Sequence, residues 1–115
     1  MIRDTRPINW IKAARKAFEE FPDGARDAIL DALTTAAEGE FPSNVKPMIG
    51  VGSGVYKIAL PYRGDAYRAV YTVQFRDALW VIHAFQKKSK KGIETPQAEI
   101  DLIRHRLARL KEELR

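Results

Sequence analysis

The 115-residue sequence has no cysteine, only two histidines and no long hydrophobic run. Without cysteine there is no disulfide, and no thiolate is present to bind a metal or act as a nucleophile. No apolar stretch approaches the roughly 20 residues that cross a bilayer, and the first residues lack the hydrophobic core of a signal peptide. The composition, 45% hydrophobic and 30% charged, is typical of a globular domain. We therefore expect one cytoplasmic domain over residues 1–115, with no membrane partner.

Basic residues are concentrated in the middle of the chain. Residues 1–40 carry 6 basic and 8 acidic side chains, residues 41–91 carry 9 basic and 2 acidic, and residues 92–115 carry 5 of each. The net charge of +5 therefore comes from the central segment. Solubility explains a surplus of charge but not its segregation, so a surface that binds phosphate groups is favoured.

The N-terminal third has helical periodicity. Trp10, Ile11, Ala14 and Phe18 recur at helical spacing and predict a helix over about 7–20, with Pro7 near its first turn. A second helix is expected over about 25–37, ending before Gly39. The two helices should form an antiparallel hairpin.

The period changes to that of strands from Val45 onwards. Residues 46–49 are predicted to form a short strand or an approach segment, and strands are predicted at 55–60, 67–75 and 79–85, with turns at 61–65 and 76–77. Thr95 as N-cap and Pro96 as the first helical residue should open a last helix, whose apolar seam favours packing on the sheet over pairing with a partner helix. The expected fold is α+β: a helical hairpin on a twisted antiparallel sheet of three to four strands, with a C-terminal helix.

Several basic residues of the predicted sheet are candidates for contacts with nucleic acid. Arg68 lies in the middle of a predicted strand, and its side chain projects to the face opposite that of Tyr67 and Tyr71. An arginine there needs a partner, because an unpaired buried guanidinium is costly. It either pairs with a carboxylate of the helical hairpin, such as Asp27 or Asp31, or lines a groove and binds phosphate. Lys57 in the neighbouring strand is expected to share its face. The other candidate RNA contacts are the turn residues Arg63 and Arg76, and the lysines Lys87, Lys88, Lys90 and Lys91. A run of lysines is also typical of a solvated loop, and this alternative applies to Lys90 and Lys91.

These residue types suit cleavage of RNA without a metal or cofactor. When a 2′-hydroxyl attacks the adjacent phosphate, arginine and lysine stabilise the charge of the phosphorane. His83 or His105, or a lysine of lowered pKa, would transfer the proton. However, His83 also fits a structural role and His105 a surface position. The two histidines have no metal-binding spacing, and Gly52-Ser53-Gly54 is only a weak phosphate-loop signal.

The chain resembles the RelE/ParE superfamily of bacterial toxins, most closely its phage-related HigB-like branch, over about residues 45–110. The resemblance is carried by Gly54-Val55-Tyr56-Lys57-Ile58, by Gly64-Asp65-Ala66-Tyr67-Arg68-Ala69-Val70-Tyr71, by Val81-Ile82-His83-Ala84-Phe85-Gln86-Lys87-Lys88-Ser89 and by Thr95-Pro96.

The resemblance implies the toxin of a type II toxin–antitoxin system. Such a toxin cleaves mRNA, typically at the ribosomal A site, and is neutralised by an antitoxin, here expected to be a helix-turn-helix protein encoded downstream. The family's basic positions correspond to Lys57, Arg68 and Lys88. The chain departs from the pattern at Ala59, where RelE has a second lysine, and in lacking a tyrosine after Phe85.

Two alternatives remain from the resemblance. One is a ParE-like inhibitor of DNA gyrase, although such relatives often lack the basic residues that this chain retains. The other is a catalytically degenerate relative that serves as a binding module or transcriptional co-regulator, which the departures from the pattern allow.

Overall fold

The chain folds into a five-stranded sheet with helices on both faces. The computed structural model describes residues 5–88 and 95–114, and for Lys87 and Lys88 only the backbone. The elements in chain order are β1 (Ile8–Trp10), α1 (Lys12–Glu19), α2 (Asp23–Ala37), β2 (Val45–Pro47), β3 (Val55–Tyr62), β4 (Asp65–Thr72), β5 (Leu79–Lys88) and α3 (Gln97–Glu113). The strand order is β1-β5-β4-β3-β2. None of the described helices is both long and apolar enough to cross a membrane.

The α+β class is as predicted, but the beginning of the chain is not. The predicted helix over 7–20 is wrong in its first turn, because Ile8–Trp10 forms β1, parallel to β5. Backbone hydrogen bonds from Leu79 N–H to the Pro7 carbonyl and from Ile11 N–H to the Val81 carbonyl, both 3.0 Å, flank this pairing. Pairing with β1 provides hydrogen-bond partners for the backbone N–H and C=O groups along the outer edge of β5. A helix over residues 8–10 would leave these groups without strand partners. The sheet is therefore mixed and five-stranded, rather than antiparallel with three or four strands.

The β3–β4 hairpin has a tight two-residue turn. Tyr62 pairs with Asp65, and the intervening Arg63 and Gly64 have φ angles of 51° and 86°. Two successive positive φ values are characteristic of a type I′ turn, whose twist matches that of the strands it joins. The turn fixes the register of the hairpin, and with it the residues that lie opposite Arg68.

Each face of the sheet has its own hydrophobic core. On one face, α1 and α2 pack against β3, β4 and β5 through residues such as Phe18, Ile29, Tyr71 and Val81. On the other, α3 packs against Val70 and Ile82 through its buried Ile103, Leu107 and Leu110. The prediction that the apolar seam of the last helix packs on the sheet is confirmed.

The last helix begins one residue later than its sequence predicts. Pro96, not Thr95, occupies the N-cap position of α3. The Thr95 hydroxyl instead accepts a hydrogen bond of 2.8 Å from Lys57 Nζ. The side chain that was expected to cap the helix is therefore linked to the sheet.

Candidate nucleic-acid interface

The two cations predicted to share a face of the sheet do so. The register pairs Lys57 with Val70, and Ala59 with Arg68. Directly paired residues of antiparallel strands project to the same side of a sheet, so all four lie on one face. Val70 belongs to the α3 core, so this is the face that α3 partly covers.

Beyond the end of that core, the same face contains a cavity of about 390 Å³. It is lined by Ser43, Asn44, Val45, Lys46, Lys57, Ala59, Pro61, Ala66 and Arg68. We call it the basic groove, since its charged lining residues in the described part of the chain are two lysines and an arginine. Cations that converge on a concave surface give it a positive potential, which favours an anionic ligand.

Arg68 forms the most deeply placed charge of the basic groove. Its residue is only 5% exposed, and its guanidinium carbon lies 5.9 Å from the centre of the Phe85 ring. Burial lowers the pKa of Arg68 from its ordinary value, although an arginine remains charged at neutral pH. A cation removed from water interacts more strongly with an anion that reaches it.

The alternative ion pair of Arg68 with a carboxylate of the helical hairpin is wrong. Asp27 and Asp31 are exposed residues of α2, which packs on the face of Tyr67 and Tyr71. Arg68 alternates with these tyrosines along β4 and lies on the α3 side. Among the ion pairs of the described residues, none joins Arg68 to either aspartate.

The lysines at the end of β5 are described only in part. The backbone register pairs Lys87 with Ala66 and Lys88 with Asp65; their side chains, like Lys90 and Lys91, lie outside the described residues. The assignment of Lys88 to the basic site therefore stays a prediction. Ala66, the register partner of Lys87, lines the basic groove.

His83 faces α3 rather than the basic groove. It is 6% exposed, and both ring nitrogens contact α3: Nε2 contacts Glu99 Oε2, and Nδ1 lies 2.9 Å from Arg106 Nη1. Because a guanidinium only donates, Nδ1 accepts and Nε2 carries the proton that is donated to Glu99. Burial lowers the pKa of His83, an effect that Glu99 opposes, in agreement with a neutral ring. This environment favours the structural interpretation of His83.

A β-bulge explains how His83 reaches α3. Val70 pairs with His83 and Tyr71 with Val81, so the register shifts at Ile82. The extra residue allows two consecutive side chains, Ile82 and His83, to lie on the α3 side, since a bulge interrupts the alternation of a strand. The apolar run of β5 gives no indication of a bulge, which is why the sequence could not decide the role of His83.

The remaining predicted contacts are distributed over other surfaces. Arg63 is exposed, and its guanidinium carbon lies 5.4 Å from the centre of the Tyr62 ring at the hairpin tip. Arg76 lines a different cavity, beside Tyr56 and Tyr71 on the α2 side. His105 is an exposed residue of α3. None of these three is among the described lining residues of the basic groove.

The tyrosines of the sheet belong to the core. Tyr67 and Tyr71 are 6% and 1% exposed, which leaves little ring surface for a base. Burial, assisted by the neighbouring Tyr56, raises the pKa of Tyr71 to about 12. The phenol is therefore neutral at physiological pH.

One basic residue of the groove was not predicted. Lys46, in the middle of β2, pairs with Lys57 and lines the same cavity. Its strand is only three residues long, too short for an alternating pattern to reveal which residues face the sheet surface that carries Arg68. Only the register of β2 on β3 identifies it.

The described residues provide no evident metal site. No three of their histidine, aspartate or glutamate side chains come close enough together to hold a metal ion.

The model of the family described as Phage derived protein Gp49-like matches residues 16–108. The chain belongs to this family. The match begins within α1 and ends within α3, so it includes α2, all of β2 to β5 and the residues that line the basic groove. No curated protein sequence is significantly similar to this Gp49-like chain.

Solved structures with a similar fold include two RelE toxins. The Gp49-like chain is 20% identical to an E. coli RelE toxin mutant in the free state, with a TM-score of 0.57, covering 75% of this chain and 85% of that one. It is 15% identical to a chain of the toxin–antitoxin complex RelBE2 from Mycobacterium tuberculosis, with a TM-score of 0.52, covering 72% of this chain and 92% of that one. The Gp49-like family match and the RelE-like fold support the predicted resemblance to the RelE/ParE superfamily.

Proposed function

We propose that this protein is the toxin of a type II toxin–antitoxin system and cleaves mRNA, at the ribosomal A site, without a metal. The observation that carries the proposal is the position of Lys57 and Arg68 in one cavity on one face of the sheet. The RelE-like fold and the description of its relatives as toxins support it. The HigB-like branch is part of the same proposal, based on the sequence resemblance.

The groove fits the electrostatic demand of RNA cleavage. When the 2′-oxygen bonds to phosphorus, its proton is released and the bond from phosphorus to the 5′-oxygen of the next nucleotide breaks, which leaves a 2′,3′-cyclic phosphate and a 5′-hydroxyl that takes up a proton. On the way, negative charge develops on the non-bridging oxygens of the scissile phosphate. The planar guanidinium of Arg68 is suited to bind two of these oxygens at once, and Lys57 adds a second charge nearby. Lys88 is the third basic residue that we assign to the site. Donors already placed before the reaction lower its barrier because they need no reorganisation as charge develops.

His83 has a positioning role in this proposal. Its neutral ring connects β5 to Glu99 and Arg106 of α3, and Arg106 also donates to the Ile82 carbonyl at 3.1 Å. The network holds α3 against the sheet at the bulge. Thr95, just before α3, receives the hydrogen bond from Lys57. Through that residue, the position of α3 influences the position of a proposed catalytic lysine.

The proposed partners follow from the same assignment. They are mRNA on the ribosome, in the cytoplasm, and a cognate antitoxin, which we expect to be a helix-turn-helix protein encoded downstream. A toxin–antitoxin complex is known for the relative RelBE2.

Removal of the charge of Arg68 is the decisive test of the proposal. We expect Arg68→Ala and Arg68→Met to lose growth arrest in bacteria that express the protein without antitoxin, and to reduce mRNA cleavage by about 10²- to 10³-fold. Methionine retains apolar bulk and removes a buried charge, so it should preserve the fold. Arg15→Ala, at an exposed residue of α1, is the matched control. Primer extension on cellular mRNA and circular dichroism are the measurements.

Full toxicity of a folded Arg68→Met protein would contradict the proposal. Accumulation of cleaved gyrase–DNA complexes with intact mRNA would replace it with the gyrase-inhibitor alternative. A wild-type protein that causes neither effect would favour the degenerate binding module.

A further inference from the structure

Lys46 is the outermost charge of the basic groove. It is exposed, whereas its partner Lys57 is partly buried and Arg68 is buried. The three residues lie on the adjacent strands β2, β3 and β4, on the same face. The cations therefore form a row that runs from the open edge of the sheet to the bottom of the groove.

The pairing of Lys46 with Lys57 is unfavourable for the protein alone. Residues directly opposite on antiparallel strands have Cβ atoms about 4.5–5.5 Å apart, and like charges in that relation destabilise a sheet. Lys46 makes no ion pair within the part of the chain that the structure describes. A bound polyanion would remove this repulsion, because each phosphate neutralises one of the cations.

The same cavity also has an uncharged position next to Arg68. Ala59 lies directly opposite Arg68 and two residues along β3 from Lys57, so it presents only a methyl group to the cavity. Lys46 reaches the same cavity from the other side of Lys57.

We propose that Lys46 binds a backbone phosphate of the RNA, adjacent to the phosphate held by Arg68. This inference rests on the proposed ribonuclease function and adds a binding residue to it. The groove then accommodates consecutive phosphates of a single-stranded RNA: one at the exposed rim and one at the buried bottom. Lys46 fixes the register of the strand and takes no part in bond making.

The test measures binding of a short unstructured oligoribonucleotide as a function of salt. Each lost phosphate contact reduces the slope of log Kobs against log[salt] by about 0.7 for a single strand. We expect Lys46→Ala to reduce the slope by about 0.7 and the affinity at low salt by about fivefold, while Lys46→Arg retains both. Lys12→Ala, at an exposed lysine of α1, is the matched control. Since Lys46→Ala removes a like-charge pair, its Tm should be unchanged or raised.

The charge can also be moved within the groove. In the double variant Lys46→Ala with Ala59→Lys, we expect the salt slope to return to that of the wild type. A slope that stays low in a folded double variant would overturn the claim that the charge of Lys46 acts on a phosphate bound in this groove.

Two outcomes separate this inference from the function on which it rests. If Lys46→Ala binds like Lys12→Ala while Arg68→Met still loses toxicity, the role of Lys46 is overturned and the ribonuclease proposal stands. If the wild-type protein shows no salt-dependent affinity for the oligoribonucleotide, the inference is overturned, and intact mRNA in producing cells would overturn the function too.

Discussion

At the scale of single residues, His83 is notable because both of its ring nitrogens have a partner on α3. Its ring is enclosed between β5 and α3, with Arg106 donating to one nitrogen and Glu99 accepting from the other. Protonation at Nδ1 would place a hydrogen against the guanidinium of Arg106. Burial contributes in the same direction, because it lowers the pKa of His83.

We therefore expect His83 to make stability depend on pH. With its pKa lowered in the folded state, the unfolded chain binds more protons below the ordinary histidine pKa of about 6.5, so stability is complete above that pH and falls as the pH decreases. His83→Gln should cost about 1–3 kcal/mol at neutral pH and flatten the pH dependence in this window. His105→Gln, at an exposed position, is the control. Parallel curves of Tm against pH for wild type and His83→Gln would contradict the assignment.

Alternation along a strand is sufficient to predict some of these residues and not others. Arg68 and Lys57 were placed on a common face because β3 and β4 are long and regular. The role of His83 was left open because a bulge precedes it, and Lys46 was missed because its strand has three residues. Both depend on pairing with residues distant in sequence, which a local pattern does not encode.

At the scale of elements, the turn between β3 and β4 determines the geometry of the groove. Gly64 has a φ of 86°, and among the described residues a Cβ added there would meet no atom within 4 Å beyond its chain neighbours. Any cost of a side chain at this position therefore comes from the backbone conformation and not from crowding.

Substitutions at Gly64 should follow backbone preference. We expect Gly64→Ala to lower the free energy of unfolding by about 1–2 kcal/mol, and Gly64→Asn to lower it by less, because asparagine tolerates positive φ. Urea denaturation of the three proteins measures the difference. Equal losses for alanine and asparagine would show that the conformation of the turn is not the cause.

The N-terminal element shows why helical periodicity alone was misleading. Trp10 does share a core with Phe18, their ring centres being 4.8 Å apart, as the periodic pattern implies. The two residues are nevertheless on different elements, since Trp10 belongs to β1. The periodicity identifies the apolar residues of this segment, whereas pairing with β5 decides its backbone conformation.

At the scale of the whole molecule, two cores share one sheet. Ile29 of α2 and Ile103 of α3 are both fully buried, on opposite faces. The strands between them contribute side chains to both cores, so the two faces should unfold together.

Shortening a buried side chain in either core should therefore destabilise the whole protein. We expect Ile29→Ala and Ile103→Ala each to cost about 2–5 kcal/mol, with the effects adding to within about 0.5 kcal/mol because the sites share no contact. Urea unfolding followed by circular dichroism and tryptophan fluorescence should give one coincident transition. A separate early transition in Ile103→Ala would show that α3 unfolds independently of the sheet.

β1 and β2 are the two edge strands of the sheet, and each is three residues long. Pro7 precedes the first, and Pro47 ends the second. Short edge strands that carry proline and charged residues resist pairing with strands of other molecules. Lys46 is the charged residue of β2. The residue that we propose holds RNA thus also protects the protein from edge-to-edge aggregation.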